Sequence, residues 1–165
     1  MPWYTHPALD EIRKWDLSNK KVLEYGAGLS TIWWGHKAKH VTSVESNREW
    51  YDKIAALKPS NVSMHFKPVN EGDQENKNIY VEAYDPLIRY DIVVVDGILR
   101  YECIMEALKM ERPVTLIVDN WQQDYVFICP AAEVALEGFE HTLYVQAEHT
   151  NHEGRPWTTA IFFLK

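Results

Sequence analysis

Short apolar runs alternate along this chain with segments whose apolar positions recur every three or four residues. The first pattern predicts strands and the second predicts amphipathic helices. The apolar runs predict five strands, at residues 21–23, 41–45, 62–66, 91–96 and 114–118. Residues 91–96 are a run of apolar, β-branched residues between two aspartates, which is typical of a strand buried on both faces of a parallel sheet.

The segments between these runs carry the helical pattern. Residues 7–15 predict an amphipathic helix before the first strand, and three more helices are predicted at residues 31–39, 101–110 and 130–136. Another helix is predicted after Asn47, a suitable N-cap, and it ends before Pro59. The polar residues 70–78 predict a loop, followed by a short helix at residues 79–84.

The end of the chain changes character, because two strands are predicted there with no helix between them. These strands, residues 143–146 and 159–164, should form a hairpin. Five strands alternating with helices, followed by a hairpin, predict an α/β fold built on a mostly parallel sheet. No repeat or linker divides the chain, so we expect a single domain over residues 1–165.

Composition excludes several classes of protein. The chain has 165 residues, of which 46% are apolar and 25% charged, as in an ordinary soluble domain. A net charge of −7 and the lack of a Lys/Arg cluster argue against a nucleic-acid partner. No apolar segment is long enough to span a bilayer and no signal-peptide pattern is present, so we expect a cytoplasmic protein without a membrane partner. Cys103 and Cys129 are expected to be reduced thiols.

The most informative motif follows the first predicted strand, where Glu24 precedes Gly26 and Gly28. A glycine turn at a strand end lets the backbone approach a ligand, because glycine has no Cβ and accepts a positive φ. The dinucleotide-binding fingerprint has a third glycine where this chain has Thr31, and it requires no acid before the first glycine. Glu45 ends the second predicted strand, where a carboxylate can accept both hydroxyls of a ribose. These features indicate an adenosine-containing ligand other than a dinucleotide.

The order acid-x-Gly-x-Gly resembles motif I of the class I S-adenosylmethionine-dependent methyltransferases. Nearly the whole chain is similar to a broad group of small bacterial and phage methyltransferase-like proteins. The segments that carry this similarity are residues 2–5, 23–31, 43–45, 95–97, 118–120 and 158–163, together with Arg100.

This resemblance implies a Rossmann-like methyltransferase sandwich. Its mostly parallel seven-stranded sheet would take an antiparallel C-terminal strand between two neighbours. The resemblance also implies S-adenosylmethionine as the cofactor. The residues expected to bind this cofactor are Glu24, Gly26, Ala27, Gly28, Ser30, Thr31, Glu45, Ser46, Asp96 and Gly97.

Three polar side chains follow the fourth and fifth predicted strands, namely Asp96, Asp119 and Asn120. They resemble the metal triad of the catechol-type O-methyltransferases, and that resemblance implies an Mg²⁺ ion that orients and acidifies the acceptor hydroxyl. Two alternatives need no metal. Asp119 and Asn120 could cap the next helix while Asp96 and Gly97 form a turn, or Asp96 could contact the amino group of the methyl donor.

One position departs from the catechol enzymes, which carry a lysine general base three residues after the aspartate of the fourth strand. This chain has Leu99 there, followed by Arg100. An arginine stays protonated and cannot act as that base, but it could bind an acidic acceptor in bidentate fashion. We therefore expect Asp96 and Arg100 to be the catalytic residues.

These features predict a methyltransferase that methylates an oxygen of a small molecule or sugar. Its acceptor pocket would be built from the segment near Tyr4, the loops after the fourth and fifth strands, and the hairpin loop. The alternatives are a metal-independent methyltransferase of the same fold, a non-catalytic module that binds S-adenosylmethionine, and an NAD-linked enzyme.

Two further sets of residues have a structural interpretation. His149 and His152 are expected to be exposed residues of the hairpin loop rather than metal ligands. Four tryptophans flank the motifs, and packing is a more common role for them than lining a pocket. They are Trp33, Trp34, Trp50 and Trp121.

Overall fold

A computed structural model of the chain describes residues 1–70, 73–110, 114–122, 130–151 and 153–164. The helices in these ranges are α1 (His6–Ile12), α2 (Leu29–Lys37), α3 (Arg48–Ala55), α4 (Gln74–Val81), α5 (Arg100–Leu108) and α6 (Pro130–Leu136). The strands are β1 (Lys21–Tyr25), β2 (His40–Glu45), β3 (Val62–Phe66), β4 (Ile92–Val95), β5 (Val114–Val118), β6 (Glu140–Thr150) and β7 (Pro156–Leu164).

The strands form one seven-stranded sheet in the order β3-β2-β1-β4-β5-β7-β6. The first five strands in this order are parallel, and β7 lies antiparallel between β5 and β6. The predicted mostly parallel sheet with an antiparallel C-terminal strand is therefore confirmed. Strands β2 and β3 lie on one side of β1, and β4 and β5 lie on its other side, so the order in which strands are added across the sheet reverses at β1. A ligand crevice is expected at the carboxyl ends of such strands.

Helices cover both faces of the sheet, which explains why its central strands are apolar at successive positions. On one face, Val22 belongs to a core that includes Ile12 of α1 and Trp34 of α2. On the other face, Leu23 packs in a core that includes Ile104 of α5. Neighbouring residues of β1 thus point into different cores, and burial on both sides holds the strand ends rigidly in place.

Helix α4 begins earlier than the sequence predicts. Residues 74–78 were expected in a loop, but Asp73 caps a helix there by accepting a hydrogen bond from the backbone N–H of Asn76 at 3.1 Å. This aspartate satisfies an otherwise free N–H of the first turn, which is the usual role of an N-cap. The loop prediction was therefore wrong over residues 74–78, and α4 ends at Val81 rather than at residue 84.

The predicted hairpin is confirmed, but it is longer than expected. Its pairing extends to Thr150 and Pro156, so His149 lies in β6 and not in a loop. The turn is held by the Asn151 side chain, which accepts hydrogen bonds from the N–H groups of Glu153 and Arg155 at 3.0 and 2.9 Å. The extra length carries the hairpin alongside the carboxyl ends of the parallel strands.

Several smaller expectations can be placed as well. Cys103 is a buried free thiol in α5, whereas Cys129 and His152 lie outside the described residues. The first helix ends at Ile12, three residues before the predicted end. None of the helices in the described ranges combines the length and the apolar character needed to cross a membrane.

Two glycines hold the loops after β1 and β4 in direct backbone contact. Gly26 has φ of +94°, and a Cβ added to it would lie 2.6 Å from both the N and the Cα of Gly97. A Cβ added to Gly97 would in turn lie 2.9 Å from the Cα of Gly26. Neither position can carry a side chain without a shift of backbone, so this contact sets the separation of the two loops.

We expect Gly26→Ala to destabilise the fold more than Gly138→Ala. Both glycines have a positive φ near 90°, but nothing lies within 4 Å of a Cβ at Gly138. The unfavourable φ costs about 1–2 kcal/mol at each position, and the backbone clash at Gly26 adds about 1–3 kcal/mol. Urea unfolding of the two variants measures the difference. Equal losses of unfolding free energy would show that the two loops can separate at no cost.

Candidate functional site

A cavity of about 390 Å³ lies over the glycine loop, at the carboxyl ends of the parallel strands. We call it the glycine-loop cavity. Its floor is the backbone of residues 26–30, and Glu45 and Trp50 form one side. Gly97 and Arg100, from the loop after β4 and the start of α5, form the other side. A volume of this size lies within the normal range for small-molecule and cofactor sites.

A second cavity of about 580 Å³ adjoins the first, and we call it the acceptor cavity. Tyr4 of the N-terminal segment and His149 and Trp157 of the hairpin contribute to its walls. The two cavities have three lining residues in common, which are Trp3, Asp96 and Asn120. The side chains of Asp96 and Asn120 therefore lie at the boundary between two binding spaces.

Glu24 lies behind the glycine loop and does not line the glycine-loop cavity. Its carboxylate accepts hydrogen bonds from the hydroxyls of Thr31 at 2.5 Å and Ser43 at 3.0 Å. The Thr31 hydroxyl oxygen in turn accepts a hydrogen bond from the N–H of Gly28 at 2.9 Å. Glu24 and Thr31 thus position the loop from beneath, and a direct contact of either with the cofactor stays a prediction.

Burial raises the pKa of Glu24 to about 7, and the hydrogen bonds from neighbouring hydroxyls offset only part of this effect. One carboxylate oxygen, Oε1, is buried and has no hydrogen-bond partner. Such an oxygen is costly when charged and favours the protonated form. The acid of the motif is consequently neutral over much of the range below pH 7.

Glu45 ties the end of β2 to the glycine loop. Its carboxylate accepts hydrogen bonds from the N–H groups of Ala27 at 2.9 Å, Ser46 at 2.8 Å and Asn47 at 2.6 Å. A carboxylate has about four acceptor positions, so Glu45 keeps capacity for a further donor on the side that lines the cavity. Its predicted contact with ribose hydroxyls is compatible with this arrangement and stays a prediction.

The tryptophans divide between the two roles that the sequence left open. Trp50 lines the glycine-loop cavity, where its indole N–H donates to the carbonyl of Ala27. Trp34 is fully buried in the core, and Trp121 packs edge-on against Phe162. The position of Trp50 on α3 therefore makes it a wall of the site, a role that its helical spacing does not reveal.

Arg100 joins the ends of β4 and β5. Its side chain is 4% exposed, and its Nη2 donates to Asp96 Oδ1 at 3.4 Å and to Asn120 Oδ1 at 3.1 Å. Its Nε donates to the carbonyl of Gly97 at 3.0 Å, and its Nη1 donates to the carbonyl of Asp119. The structure thus brings Asp96, Asp119, Asn120 and Arg100 together, as their positions at strand ends predict.

These contacts bear on two sequence predictions. Arg100 lines the glycine-loop cavity but is absent from the walls of the acceptor cavity, so its predicted contact with an acidic acceptor stays a prediction. The predicted Mg²⁺ site does not fit the residues present. The side-chain oxygens of Asp96 and Asn120 accept from Arg100, and Asp119 Oδ1 accepts from Thr159.

The N-terminal segment is fastened to the hairpin by hydrogen bonds that no local pattern reveals. The N–H of Thr5 donates to Thr159 Oγ1 at 3.0 Å, and the Thr159 hydroxyl donates to Asp119 Oδ1 at 2.6 Å. The Thr5 hydroxyl donates to the carbonyl of Tyr144, and the N–H of His6 donates to Gln146 Oε1. The start of the described chain therefore lies along one wall of the acceptor cavity.

The carboxylates at the cavity boundary are modified by their surroundings. Burial raises the pKa of Asp96 well above its usual value, the charge of Asp119 raises it further, and Arg100 opposes both effects. Burial also raises the pKa of Asp119, and the hydrogen bond from Thr159 opposes it. Of the two, Asp96 is more exposed, with 22% of its side chain accessible, and it faces both cavities. It is therefore the carboxylate best placed to accept a proton from a ligand.

Two residues in these loops have a left-handed backbone although they are not glycine. Leu99, which precedes Arg100, and Asn120 both have φ of 52°. Such a conformation costs about 1–3 kcal/mol and persists where surrounding contacts hold it, most often at functional sites. Leu99 is the chain neighbour of Arg100, and the Asn120 side chain accepts a hydrogen bond from the Arg100 guanidinium.

Solved structures of the same architecture are known. A methyltransferase-like protein from Silicibacter pomeroyi DSS-3 is 24% identical to this chain, with a TM-score of 0.68 over 98% of this chain and 88% of that chain. The N-methyltransferase NodS from Bradyrhizobium japonicum WM9 is 15% identical, with a TM-score of 0.67 over 94% and 93% of the two chains. A TehB-like S-adenosylmethionine-dependent methyltransferase from Corynebacterium glutamicum ATCC 13032 Kitasato is 12% identical, with a TM-score of 0.62 over 99% and 89%.

These similarities establish the fold of the chain as the Rossmann-like sandwich of class I methyltransferases, which confirms the predicted fold class. At these identities they do not carry a function with them. No protein-family model and no curated protein matches the sequence.

Gly28 offers a test of whether the glycine-loop cavity binds a ligand. A Cβ at this position would make ordinary contacts, 3.4 Å from Ser30 Oγ and 3.9 Å from Trp50 Nε1, so packing does not require glycine there. We expect Gly28→Leu to keep the unfolding temperature of the free protein within a few degrees. Because the larger side chain would fill the cavity, we expect it to weaken binding of S-adenosylhomocysteine at least about tenfold, or 1.4 kcal/mol. Calorimetric titration measures this affinity, and Gly28→Ala, with its smaller side chain, is the control. An unchanged affinity in the leucine variant would exclude this cavity as the binding site of S-adenosylhomocysteine.

The buried acid gives a second test. In the unfolded chain Glu24 ionises near its ordinary pKa of 4.5, whereas in the fold its pKa is about 7. Between these values the folded state holds an extra proton, so this group makes the fold less stable as pH rises, by up to about 3 kcal/mol. Glu24→Gln removes this contribution. The unfolding free energy of the variant minus that of the parent should therefore increase between pH 5 and pH 8.

Urea titrations at several pH values measure this difference. The same substitution at Glu49, an exposed residue of α3, is the control outside the site. A difference between Glu24→Gln and the parent that stays constant from pH 5 to pH 8 would contradict the assignment of a buried, protonated carboxyl group.

Proposed function

We propose that this protein is an S-adenosylmethionine-dependent methyltransferase that methylates a hydroxyl group of a small ring-containing molecule or sugar without a metal ion. The observation that carries the proposal is the pair of adjoining cavities with Asp96 and Asn120 at their boundary. One cavity has the features of a cofactor site and the other those of an acceptor site. The methyl group would pass between them at Asp96.

The glycine-loop cavity suits the methyl donor for three reasons. The backbone of the loop lines the cavity, and the lack of a side chain at Gly28 leaves space there although the packing of the fold does not require a glycine at this position. Glu45 keeps acceptor capacity at the end of β2, where a ribose would lie. Trp50 adds an aromatic wall. The similar protein NodS has also been solved in complex with S-adenosyl-L-homocysteine, with a TM-score of 0.61 and 14% identity, which supports the same ligand for this chain.

The acceptor cavity suits a flat or ring-shaped molecule. The aromatic side chains of Trp3, Tyr4 and Trp157 line it, and such surfaces pack well against rings. Polar side chains also line it, among them Asp96, Asn120 and Gln146. A cavity that combines aromatic walls with polar side chains is the usual form of a small-molecule site. No lysine or arginine side chain lines its described walls, whereas Asp96 and Asp119 do, which disfavours an anionic acceptor.

In the proposed mechanism, S-adenosylmethionine would supply an electrophilic methyl group and, as its carbon–sulfur bond breaks, would leave as S-adenosylhomocysteine. Asp96 accepts the proton of the acceptor hydroxyl while the hydroxyl oxygen forms the new bond to carbon, and its raised pKa makes Asp96 a stronger base than an ordinary carboxylate. The carboxylates of Asp96 and Asp119 also favour the positive charge of the bound donor. The walls of the two cavities hold the reactants in line, and such positioning supplies a large part of the rate.

The metal-independent reaction is favoured over the Mg²⁺-assisted one. A divalent ion would lie beside Asp96 and Asn120, where the permanently charged Arg100 guanidinium already donates to Asp96 Oδ1 and Asn120 Oδ1 and would repel it. The proton of the acceptor then has to pass to a side chain, and Asp96 is the carboxylate that faces both cavities.

The test is a methyl-transfer assay with labelled S-adenosylmethionine and a panel of phenols, sugars and amines, with and without EDTA. We expect transfer to hydroxyl acceptors that EDTA does not change. Asp96→Asn should lower kcat by about 10²–10⁴-fold, as expected for loss of a general base, while S-adenosylhomocysteine still binds. Asp91→Asn, the same change at the opposite end of β4, is the matched control and should keep its activity.

Each part of the proposal can fail separately in this assay. A loss of activity in EDTA would overturn the metal-independent reaction, and transfer to amines without transfer to hydroxyls would overturn the oxygen acceptor. Binding of S-adenosylhomocysteine without transfer to any acceptor would favour the non-catalytic module. Binding of NAD in place of S-adenosylhomocysteine would overturn the cofactor.

A further inference from the structure

We infer that Arg100 is a built-in cation that occupies the position a divalent metal would take between the ends of β4 and β5, and that its removal creates a metal-binding site. The proton-accepting role of Asp96 rests on the proposed function. The location of the guanidinium among the oxygen atoms of Asp96, Gly97, Asp119 and Asn120 does not rest on it.

The geometry is that of a cation among converging oxygens. The guanidinium contacts one carboxylate oxygen, of Asp96, one amide oxygen, of Asn120, and two backbone carbonyls, of Gly97 and Asp119. These oxygens come from the loops after two neighbouring parallel strands, which are paired up to Val95 and Val118. Carboxylate, amide and carbonyl oxygens are also the ligands that hard divalent cations prefer.

Charge explains why a cation is needed in this position. Asp96 and Asp119 are both largely removed from water, and the charge of Asp119 raises the pKa of Asp96. Two carboxylates in such surroundings repel each other unless a positive charge lies between or beside them. Arg100 supplies that charge permanently, because a guanidinium stays protonated even when it is buried.

Arg100 differs from a metal in what it does for the reaction. It carries one positive charge in place of two and has no open coordination position, so it cannot bind and acidify an acceptor hydroxyl as a metal can. Its planar set of five N–H donors instead holds both loops in one arrangement. Arg100 is thus a positioning residue, because it orients Asp96 through Oδ1 of that carboxylate.

Removal of the guanidinium would leave an oxygen-lined space next to two carboxylates. A small hard cation fits the charge and the ligand chemistry of that space. This consequence can be measured without any methyl donor or acceptor, so a failure of the proposed function and a failure of this inference are distinguishable.

The experiment compares the parent protein with Arg100→Met, which keeps much of the apolar stem, and with Arg100→Ala. Calorimetric titration with Ca²⁺ and with Mn²⁺ is expected to show no saturable binding to the parent. The two variants are expected to bind one ion with a Kd on the order of 10⁻⁴–10⁻³ M, as in weak oxygen-only sites. Arg89→Ala removes an exposed arginine outside the site and should behave like the parent.

Two further measurements separate this role from a merely structural one. Adding Asp96→Asn to Arg100→Met should abolish the new ion binding, and guanidinium ion at a few millimolar should compete with Ca²⁺ for the variant. If Arg100→Met and Arg100→Ala are unfolded by circular dichroism, Ca²⁺ should restore their folding. The inference is overturned by saturable metal binding at Asp96 in the parent, by folded variants that bind no ion, or by unfolded variants that Ca²⁺ does not rescue.

Discussion

The contact between the backbones of Gly26 and Gly97 is the constraint on which the rest of the site depends. It leaves no room for a side chain on either residue, so the loops after β1 and β4 meet at a fixed separation. Both loops line the glycine-loop cavity, and Asp96 immediately precedes Gly97. The hydrogen bonds of Glu24, Thr31 and Glu45 then hold the rest of the glycine loop against this point.

Most of the fold could be predicted from the sequence because a strand buried on both faces has apolar residues at successive positions. The β-branched run of β4 and the acids at the strand ends were sufficient to place the crevice. The weaker predictions concern exposed elements. Helix α4 has few buried residues, and its start depends on the single cap at Asp73. Most residues of β6 are exposed, so its polar end was taken for a loop.

The candidate site was predictable to the extent that it follows from topology. Parallel strands bring Asp96, Asp119 and Asn120 together because their carboxyl ends meet at one edge. The partners of these side chains were not predictable, because they come from long-range contacts. Thr5 meets Thr159 across most of the chain, and Arg100 reaches across to β5. A motif shared with metal enzymes therefore indicated residues that lie together in the fold, and an ion that does not fit their contacts.

The bond between Thr5 and Thr159 has a consequence for how the protein is made on the ribosome. The strands from β1 to β5 and the glycine loop are synthesised first and can pair among themselves. The acceptor cavity needs β6 and β7 as a wall, and Asp119 receives its hydrogen bond from Thr159. A nascent chain that stops before the hairpin would carry the glycine loop but would lack the wall that β6 and β7 give to the acceptor cavity, so this cavity can form only after the hairpin has been synthesised.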